Sequence, residues 1–360
     1  MARIDLVDVA HSYRPGAGFA LRPMTMTWDD GGAYALLGPS GCGKTTLLNI
    51  ISGLIRPLQG RVLLGGRDVT DLPPQERNIA QVFQFPVIYD TMTVFENLAF
   101  LLRNRRWKAA DTDRRVREVA QMLELAGDLS KRARGLPAHV EQKIALGRGL
   151  VRPDVAAVLL DEPLTAVDPH VKWLLRRKLK QIHAQLELSL IYVTHDQTEA
   201  LTFADKVVVM TEGEVVQTGT AQELFETPAH TFVGHFVGNP GMNFLSCSIE
   251  DDVARLGQAR VALPRHARQA FAGLPGPFKL GIRPEFVECS PSPIEGGHPV
   301  ELLSVRPMGN HTLVSARLED QSLWARVRDT PGLAVGRAWV RLPRERVQVY
   351  ANERRVDLAP

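Results

Sequence analysis

The stretch AYALLGPSGCGKTTLLNIISG, Ala33 to Gly53, decides the fold. Ala33 to Leu37 form a short, fully apolar run, the pattern of a strand covered on both faces. Residues from Thr46 to Leu54 are helix-like, and between the two lies G-x-x-x-x-G-K-T, Gly38 to Thr45. Strand, glycine-rich loop and helix in that order are the context of a phosphate-binding P-loop. The residue types follow from the ligand. Gly41 and Gly43 let backbone N–H groups close around phosphate oxygens, and the helix starting near Lys44 adds the positive end of its dipole. Lys44 supplies a full charge to the β- and γ-phosphates, and the Thr45 hydroxyl can ligate Mg²⁺. Gly38, Pro39, Ser40, Gly41, Cys42, Gly43, Lys44, Thr45 and Thr46 are therefore candidate ATP contacts. A tight glycine turn before a helix is the plainer reading of the same spacing. Cys42, beside Lys44 near a helix start, has surroundings expected to favour thiolate.

Two further strand-like runs end in residues suited to work on a phosphate. VAAVLL delivers Asp161 and Glu162, adjacent carboxylates that can divide the work, Asp161 reaching magnesium and Glu162 polarising an attacking water. Taken alone, the pair reads equally well as acidic caps of a helix starting at Pro163. LIYVT delivers His195, whose imidazole could hydrogen-bond the γ-phosphate, although a single His after a strand is ordinarily a surface residue.

The chain of 360 residues exceeds one ordinary core, so two domains are expected. Apolar residues at 44% and charged residues at 23% exclude disorder, and a net charge of 43 − 40 = +3 demands neither nucleic acid nor an anionic membrane as partner. Cys42, Cys247 and Cys289 form no CxxC pair, against a disulfide framework or a zinc site. The N-terminal MARIDLVDVAHSY carries charges where a secretion signal is apolar, and no window reaches the roughly 18 apolar residues of a membrane span. A cytoplasmic protein is expected.

Residues 1–235 alternate apolar runs, KVVVMTEGEVVQTG among them, with helix-like stretches, giving an α/β domain. Within it a helical subdomain is expected over about 86–152, where Val116, Val119, Met122, Leu123 and Leu125 recur at three-to-four spacing. From 236 to 360, after the Gly and Pro residues of VGNPGMNFL, RVALP, FKLGIRP, TLVSARL, SLWARVR and AWVRLP read as strands of a small all-β domain.

The three segments, with GRDVTDLPPQERNIAQVFQ between the first two, resemble the ATP-binding subunits of ABC transporters. The resemblance makes Gly38 to Thr46 the Walker A loop, Gln84 the Q-loop glutamine and a further magnesium contact beside Thr45 and Asp161, and Asp161 with Glu162 the Walker B pair. It makes Asp168 in LTAVD the D-loop aspartate, His195 the switch histidine, and Tyr13 the aromatic residue stacking on adenine; a half-buried Tyr at a strand end is the equal alternative for Tyr13. VGNPGMNFL and GIRPE are similar to the junction and OB-like C-terminal domain of sugar and polyol importers. ALLGPSGCGKTTLLNIISG and NIAQVFQFPVIYDTMTV are similar to the ATPase pair of bacterial glycerol importers. The resemblance implies ATP and Mg²⁺, two permease subunits, a second ATPase, an indirectly acting solute-binding protein, and a peripheral place on the cytoplasmic face of the membrane.

One segment departs from that pattern. Where the family has its LSGGQ signature, this chain has Leu136, Pro137, Ala138, His139 and Val140. Pro137 offers neither hydroxyl nor N–H, and His139 puts a ring where the family has bare backbone. In a head-to-tail pair the signature serves the nucleotide of the opposite subunit, so a non-identical second ATPase is expected. Phe83 to Phe95 carries many apolar residues with little periodicity and suits a docking surface for permease loops, a buried loop being the alternative. Arg103, Arg105, Arg106, Lys108, Arg114, Arg115 and Arg117 read as a solvated helix face. A soluble ABC ATPase of nucleic-acid maintenance or translation is the rival class; it calls for long coiled coils or two cassettes, and Trp324 and Trp339 alone make no stacking platform for nucleic acid. A P-loop kinase would need neither His195 nor GIRPE.

Overall fold

The computed structural model describes residues 2–14, 16, 18–165, 167–263, 271, 274, 276–328 and 332–357. Ala166 of LTAVD and Pro264 of RVALP lie outside them. The chain divides into two units, Met1–Ala221 and Gln222–Pro360, a division earlier in sequence than the 235/236 boundary expected above.

In the first unit an antiparallel sheet is built from β1 (Ile4–His11), β2 (Leu21–Trp28), β4 (Gln59–Leu64) and β5 (Arg67–Asp68) in the order β2-β1-β4-β5. A second sheet contains β3 (Ala33–Leu37), β6 (Ile79–Val82), β7 (Ala157–Asp161), β8 (Leu190–Thr194), β9 (Lys206–Thr211) and β10 (Glu214–Gly219) in the order β10-β9-β3-β8-β7-β6. Its four pairings from β9 to β6 run parallel, whereas β10 turns back on β9. The apolar run from 206 to 219 is thus a hairpin. Glu212 and Gly213, with φ of 48° and 80°, supply the two left-handed positions that a tight hairpin turn requires.

Strands β3, β7 and β8 are buried at every residue because the sheet is covered twice. On one face Ala157, Leu159, Ile191 and Val193 pack with Leu47, Leu48, Ile50 and Ile51 of α1 (Lys44–Ser52). The alternate residues Val158, Leu160, Leu190 and Tyr192 face the other core. Full burial of each such aliphatic side chain contributes about 1.5 to 3 kcal/mol, so the helix carrying Lys44 is fixed firmly against the sheet.

The other core is completed by α3 (Val94–Asn104), α4 (Ala109–Met122), α5 (Ala138–Leu150) and α6 (Pro169–Leu186). Val116, Val119, Leu123 and Leu125 are buried there, with Met122 packed against them. Helix α3 starts with a capping box: the Glu96 amide donates to Thr93 Oγ1 at 3.1 Å, and the Thr93 amide donates to Glu96 Oε2 at 2.8 Å. In the basic cluster Arg105 pairs with Asp154, Arg114 with Asp111 and Arg117 with Asp113 on a solvated face, but Arg115 departs from that reading: it is largely buried and donates to the carbonyls of Leu150 and Val151. Two short helices, α2 (Pro74–Arg77) and α7 (Gln197–Phe203), follow β5 and β8.

The second unit carries α8 (Ala221–Glu226) and α9 (Thr231–Phe236), then two sheets. One has the order β13-β12-β11-β14-β20-β21, with β11 (Asn243–Glu250), β12 (Val253–Leu256), β13 (Ala259–Ala262), β14 (Phe278–Ile282), β20 (Gln348–Ala351) and β21 (Arg354–Arg355). The other has the order β15-β19-β16-β17-β18, with β15 (Glu288–Ser290), β16 (His298–Pro307), β17 (Thr312–Leu318), β18 (Gln321–Val327) and β19 (Gly336–Arg341). Leu245, Leu280, Ile282, Leu302, Val314, Leu323 and Val340 belong to one apolar core shared by the two sheets. Arg283, 1% exposed, donates to the carbonyls of Leu224, Phe225, Gly234 and Val237 and lies 4.4 Å over the Phe225 ring. The GIRPE arginine is thereby a strut that satisfies the ends of two short helices.

Candidate nucleotide site

Parallel strands all expose their carboxyl ends at one edge, where ligands of open α/β sheets are bound. Leu37 of β3 is in register with Thr194 of β8, Val193 with Asp161 of β7, and Leu160 of β7 with Val82 of β6. Gly38, His195, Glu162 and Gln84 therefore follow neighbouring strands at the same edge. Residues far apart in the chain meet because the register places them there.

The loop from Gly38 to Gly43 wraps tightly before α1. Gly43 has φ of 103°, and a Cβ there would come within 2.5 Å of the Ala20 carbonyl oxygen, so no other residue fits. Lys44 is buried, its Nζ donating to the carbonyls of Gly38 at 2.8 Å and Pro39 at 2.9 Å. Ser40, Gly41 and Thr45 are exposed, while Thr46 is buried. Tyr13 is exposed and reaches this loop: its hydroxyl is 2.9 Å from Thr46 Oγ1, and its ring meets His11 edge-on.

Thr45 Oγ1 donates to Asp161 Oδ1 at 3.3 Å. Asp161 is buried, and burial, then the neighbouring Glu162 charge, push its carboxyl above the usual range against the hydrogen bond from Thr45 and the charge of Lys44. A hydroxyl and a partly desolvated carboxylate converging beside a second carboxylate are hard oxygen donors that suit a divalent cation sharing phosphate oxygens. Glu162 has φ of 45°, uncommon for a residue with a Cβ, and its amide donates to the Val193 carbonyl at 3.0 Å. That turn aims its carboxylate at the next strand, and Oε2 lies 3.2 Å from His195 Nδ1. No helix begins at Pro163, so the capping alternative for the acidic pair is not realised.

Gln84, partly buried, stands two residues beyond β6. Asp168 is exposed and caps α6, accepting the His170 amide at 2.9 Å. Pro137 is the N-cap residue of α5 and makes no side-chain cap; Ala138, His139 and Val140 form the first turn, and Leu136 precedes the cap partly buried. Phe83, Phe85 and Val87 are exposed, whereas Val94 is buried and Ile88 and Phe95 pack against the helical core, so the run is open only in its first part. Arg148 holds its far end, donating to the Val87 carbonyl and lying 4.5 Å over the Tyr89 ring.

The thiolate expectation for Cys42 is corrected. Cys42 is 4% exposed, and burial raises its thiol despite Lys44 nearby, so it stays a protonated wall of the loop. One contributor had no sequence signal. Arg77 is buried, donating to Ile50 and Ile51 carbonyls at the C-terminal end of α1 and to Thr70 and Leu72, which steadies the helix behind the phosphate loop.

A P-loop, an acidic pair and an imidazole along one sheet edge, with a helical subdomain and a β-rich second unit, define a transport ATPase of the ABC class. Family models agree: residues 21–165 match the ABC transporter family, 238–287 the MalK OB fold domain and 280–355 the TOBE domain. The chain is 38% identical over 356 residues to the sn-glycerol-3-phosphate import ATP-binding protein UgpC of Salmonella typhi, covering 98% of this chain and 99% of that protein. It is 36% identical over 360 residues to UgpC of Escherichia coli (strain K12), with the same coverage. Among solved structures, cbiO1 from Clostridium perfringens, part of the ABC transporter complex cbiONQ, superposes with a TM-score of 0.58 at 25% identity, covering 62% of this chain and 90% of that one. The chain belongs to the import ATP-binding subunits of ABC transporters, ATP hydrolases coupled to transmembrane transport. Among the described residues no helix is long and apolar enough to cross a membrane.

Proposed function

We propose that this subunit powers import of a polyol such as glycerol, or of a sugar or glycerol phosphate, through two permease subunits fed by a solute-binding protein. It would lie peripherally on the cytoplasmic face of the membrane. The cargo rests on the relatives' printed names and on the resemblance of segments 35–53 and 78–94 to glycerol importers.

The observation that carries the ATPase reading is the 3.2 Å contact of Glu162 with His195 at the strand edge that also presents Lys44. Lys44 binds the β- and γ-phosphates, the amides of Gly38 to Thr46 surround them, and Tyr13 faces the adenine. Thr45, Asp161 and Gln84 would hold magnesium, which when bound would supply Lewis-acid charge to the phosphoryl oxygens. Glu162 accepts the proton of the attacking water, and His195 orients Glu162 and the γ-phosphate. Asp168 faces the second ATPase across the nucleotide. Phe83, Phe85 and Val87 supply the apolar surface for permease loops.

The second ATPase is a different chain in this proposal. Its support is the first turn of α5, where Pro137 stands at the cap without a hydroxyl and His139 replaces bare backbone. A defective signature impairs the nucleotide held by the partner, while the site formed by Lys44, Glu162 and His195 uses the partner's signature. Purifying the transporter from native membranes tests the whole assignment. Two permeases and two distinct ATPases are expected, with Glu162→Gln abolishing ATP turnover and the matching partner change sparing much of it. Two copies of this chain alone, or equal losses, overturn the asymmetric pair; recovery with nucleic acid overturns transport.

A further inference from the structure

His195 is exposed, at the end of a strand, and its role depends on how firmly the residues on either side are held. We infer that Glu199, buried one turn into α7, is the positioning residue that fixes His195 against Glu162. The inference rests on the catalytic reading of His195 given above.

Glu199 is 4% exposed, and its Oε2 accepts two hydroxyls from β8, Thr194 Oγ1 at 2.8 Å and Tyr192 at 3.0 Å. Thr194 Oγ1 in turn accepts the Asp196 amide at 3.0 Å. The Asp196 carboxylate closes the ring, taking the amides of Thr198 at 2.7 Å and Glu199 at 3.2 Å as the N-cap of α7. Both neighbours of His195 are thereby tied to one carboxylate, Thr194 directly and Asp196 through Thr194. The remaining oxygen of Glu199 lies 3.6 Å from Lys172 Nζ on α6, the helix capped by Asp168.

A helix cap alone would not call for this arrangement. Asp196 already caps α7, so the helix start is satisfied without Glu199. Burying a carboxylate is costly unless it is paired and fully hydrogen-bonded, and here two hydroxyls and an ammonium meet it. What the ring adds is a fixed backbone on both sides of His195, with Lys172 connecting that backbone to the helix after Asp168.

The test is single-turnover ATP hydrolysis by the assembled transporter carrying Glu199→Gln, Thr194→Val or Tyr192→Phe, each alone and combined with His195→Ala. Thr194→Val keeps shape and breaks both bonds of the Thr194 hydroxyl; Tyr192→Phe removes a donor that does not touch the His195 loop. Misplacing a catalytic group by about 1 Å costs up to about a hundredfold, so we expect Glu199→Gln and Thr194→Val to lower the hydrolysis rate by about ten- to a hundredfold. ATP affinity should stay within about twofold, Tyr192→Phe should retain most of the rate, and neither loss should add to that of His195→Ala, since residues acting as a unit are non-additive. Losses that persist in the His195→Ala background, or an unchanged rate in Thr194→Val, overturn the positioning role. If His195→Ala itself turns over normally, the catalytic reading fails instead, and the two failures are told apart.

Discussion

His195 Nδ1 lies 3.2 Å from Glu162 Oε2, and the two residues reach each other from the ends of adjacent parallel strands. The contact exists because Glu162 leaves β7 with φ of 45° instead of continuing the strand. A residue with a Cβ in that region costs of order 1 kcal/mol, and the bond from its amide to the Val193 carbonyl helps hold it there. The strain sits where two side chains are brought onto one reacting centre.

Glu162→Gln keeps the size and backbone demands of the site but cannot accept a proton. Hydrolysis should fall by about 10² to 10⁴ with ATP affinity nearly unchanged, since general-base catalysis is worth that much. Phosphate release and nucleotide binding on the same preparation check it. Hydrolysis within a few-fold of the wild type would move the base elsewhere.

Lys44→Ala removes a charge-assisted phosphate contact worth about 1.5 to 3 kcal/mol, so ATP should bind more than tenfold more weakly. Equilibrium binding of a fluorescent ATP analogue reads this directly. Unaltered affinity would remove the P-loop from the nucleotide site.

Pro137→Ser should stabilise the chain. Pro137 already has the extended backbone of an N-cap, with φ of −58° and ψ of 145°, but offers α5 no side-chain acceptor. A serine oxygen there can take an amide of the first turn, worth about 0.5 to 2 kcal/mol. The melting temperature should rise by a few degrees, and a fall would show that the proline ring contributes more than the missing cap.

All three cysteines should resist alkylation in the native state. Burial raises Cys42, and it pushes Cys247 and Cys289 up to about 11. Because the thiolate is the nucleophile, a thiol near 11 reacts at pH 8 roughly a hundredfold more slowly than one at about 8.5, and the rate climbs as pH rises. Iodoacetamide labelling across pH 7 to 10, read by mass spectrometry, decides the matter; rapid labelling of Cys42 at pH 7 would restore the thiolate.

Arg283→Met should loosen the second unit and leave the nucleotide site intact. The substitution abandons the carbonyls of Leu224, Phe225, Gly234 and Val237 and costs about 3 kcal/mol or more. Limited proteolysis of the full chain should cut after residue 221 much sooner than in the wild type, with ATP affinity retained. Equal cleavage rates would show that the strut is dispensable.

The sequence by itself determined the P-loop, the acidic pair, the histidine and the buried strands β3, β7 and β8 that carry them, because each is written in neighbouring residues: fully apolar runs, glycines at fixed offsets and a Lys-Thr pair. It also marked the first turn of α5 as unusual, since proline removes a donor wherever it stands. Only the tertiary structure decided what depends on partners distant in the chain. The Cys42 thiol is raised because β-sheet packing excludes water from it, outweighing Lys44 two residues away. The single apolar run of 206–219 is two strands because Glu212 and Gly213 turn left-handed together. Arg77 and Glu199 carry no assigned role in the sequence, and Arg283 is marked only as part of GIRPE; burial against carbonyls and hydroxyls from other elements gives each its place. Sequence spacing fixes what a residue can donate or accept; the fold fixes whether water or another side chain is there to receive it.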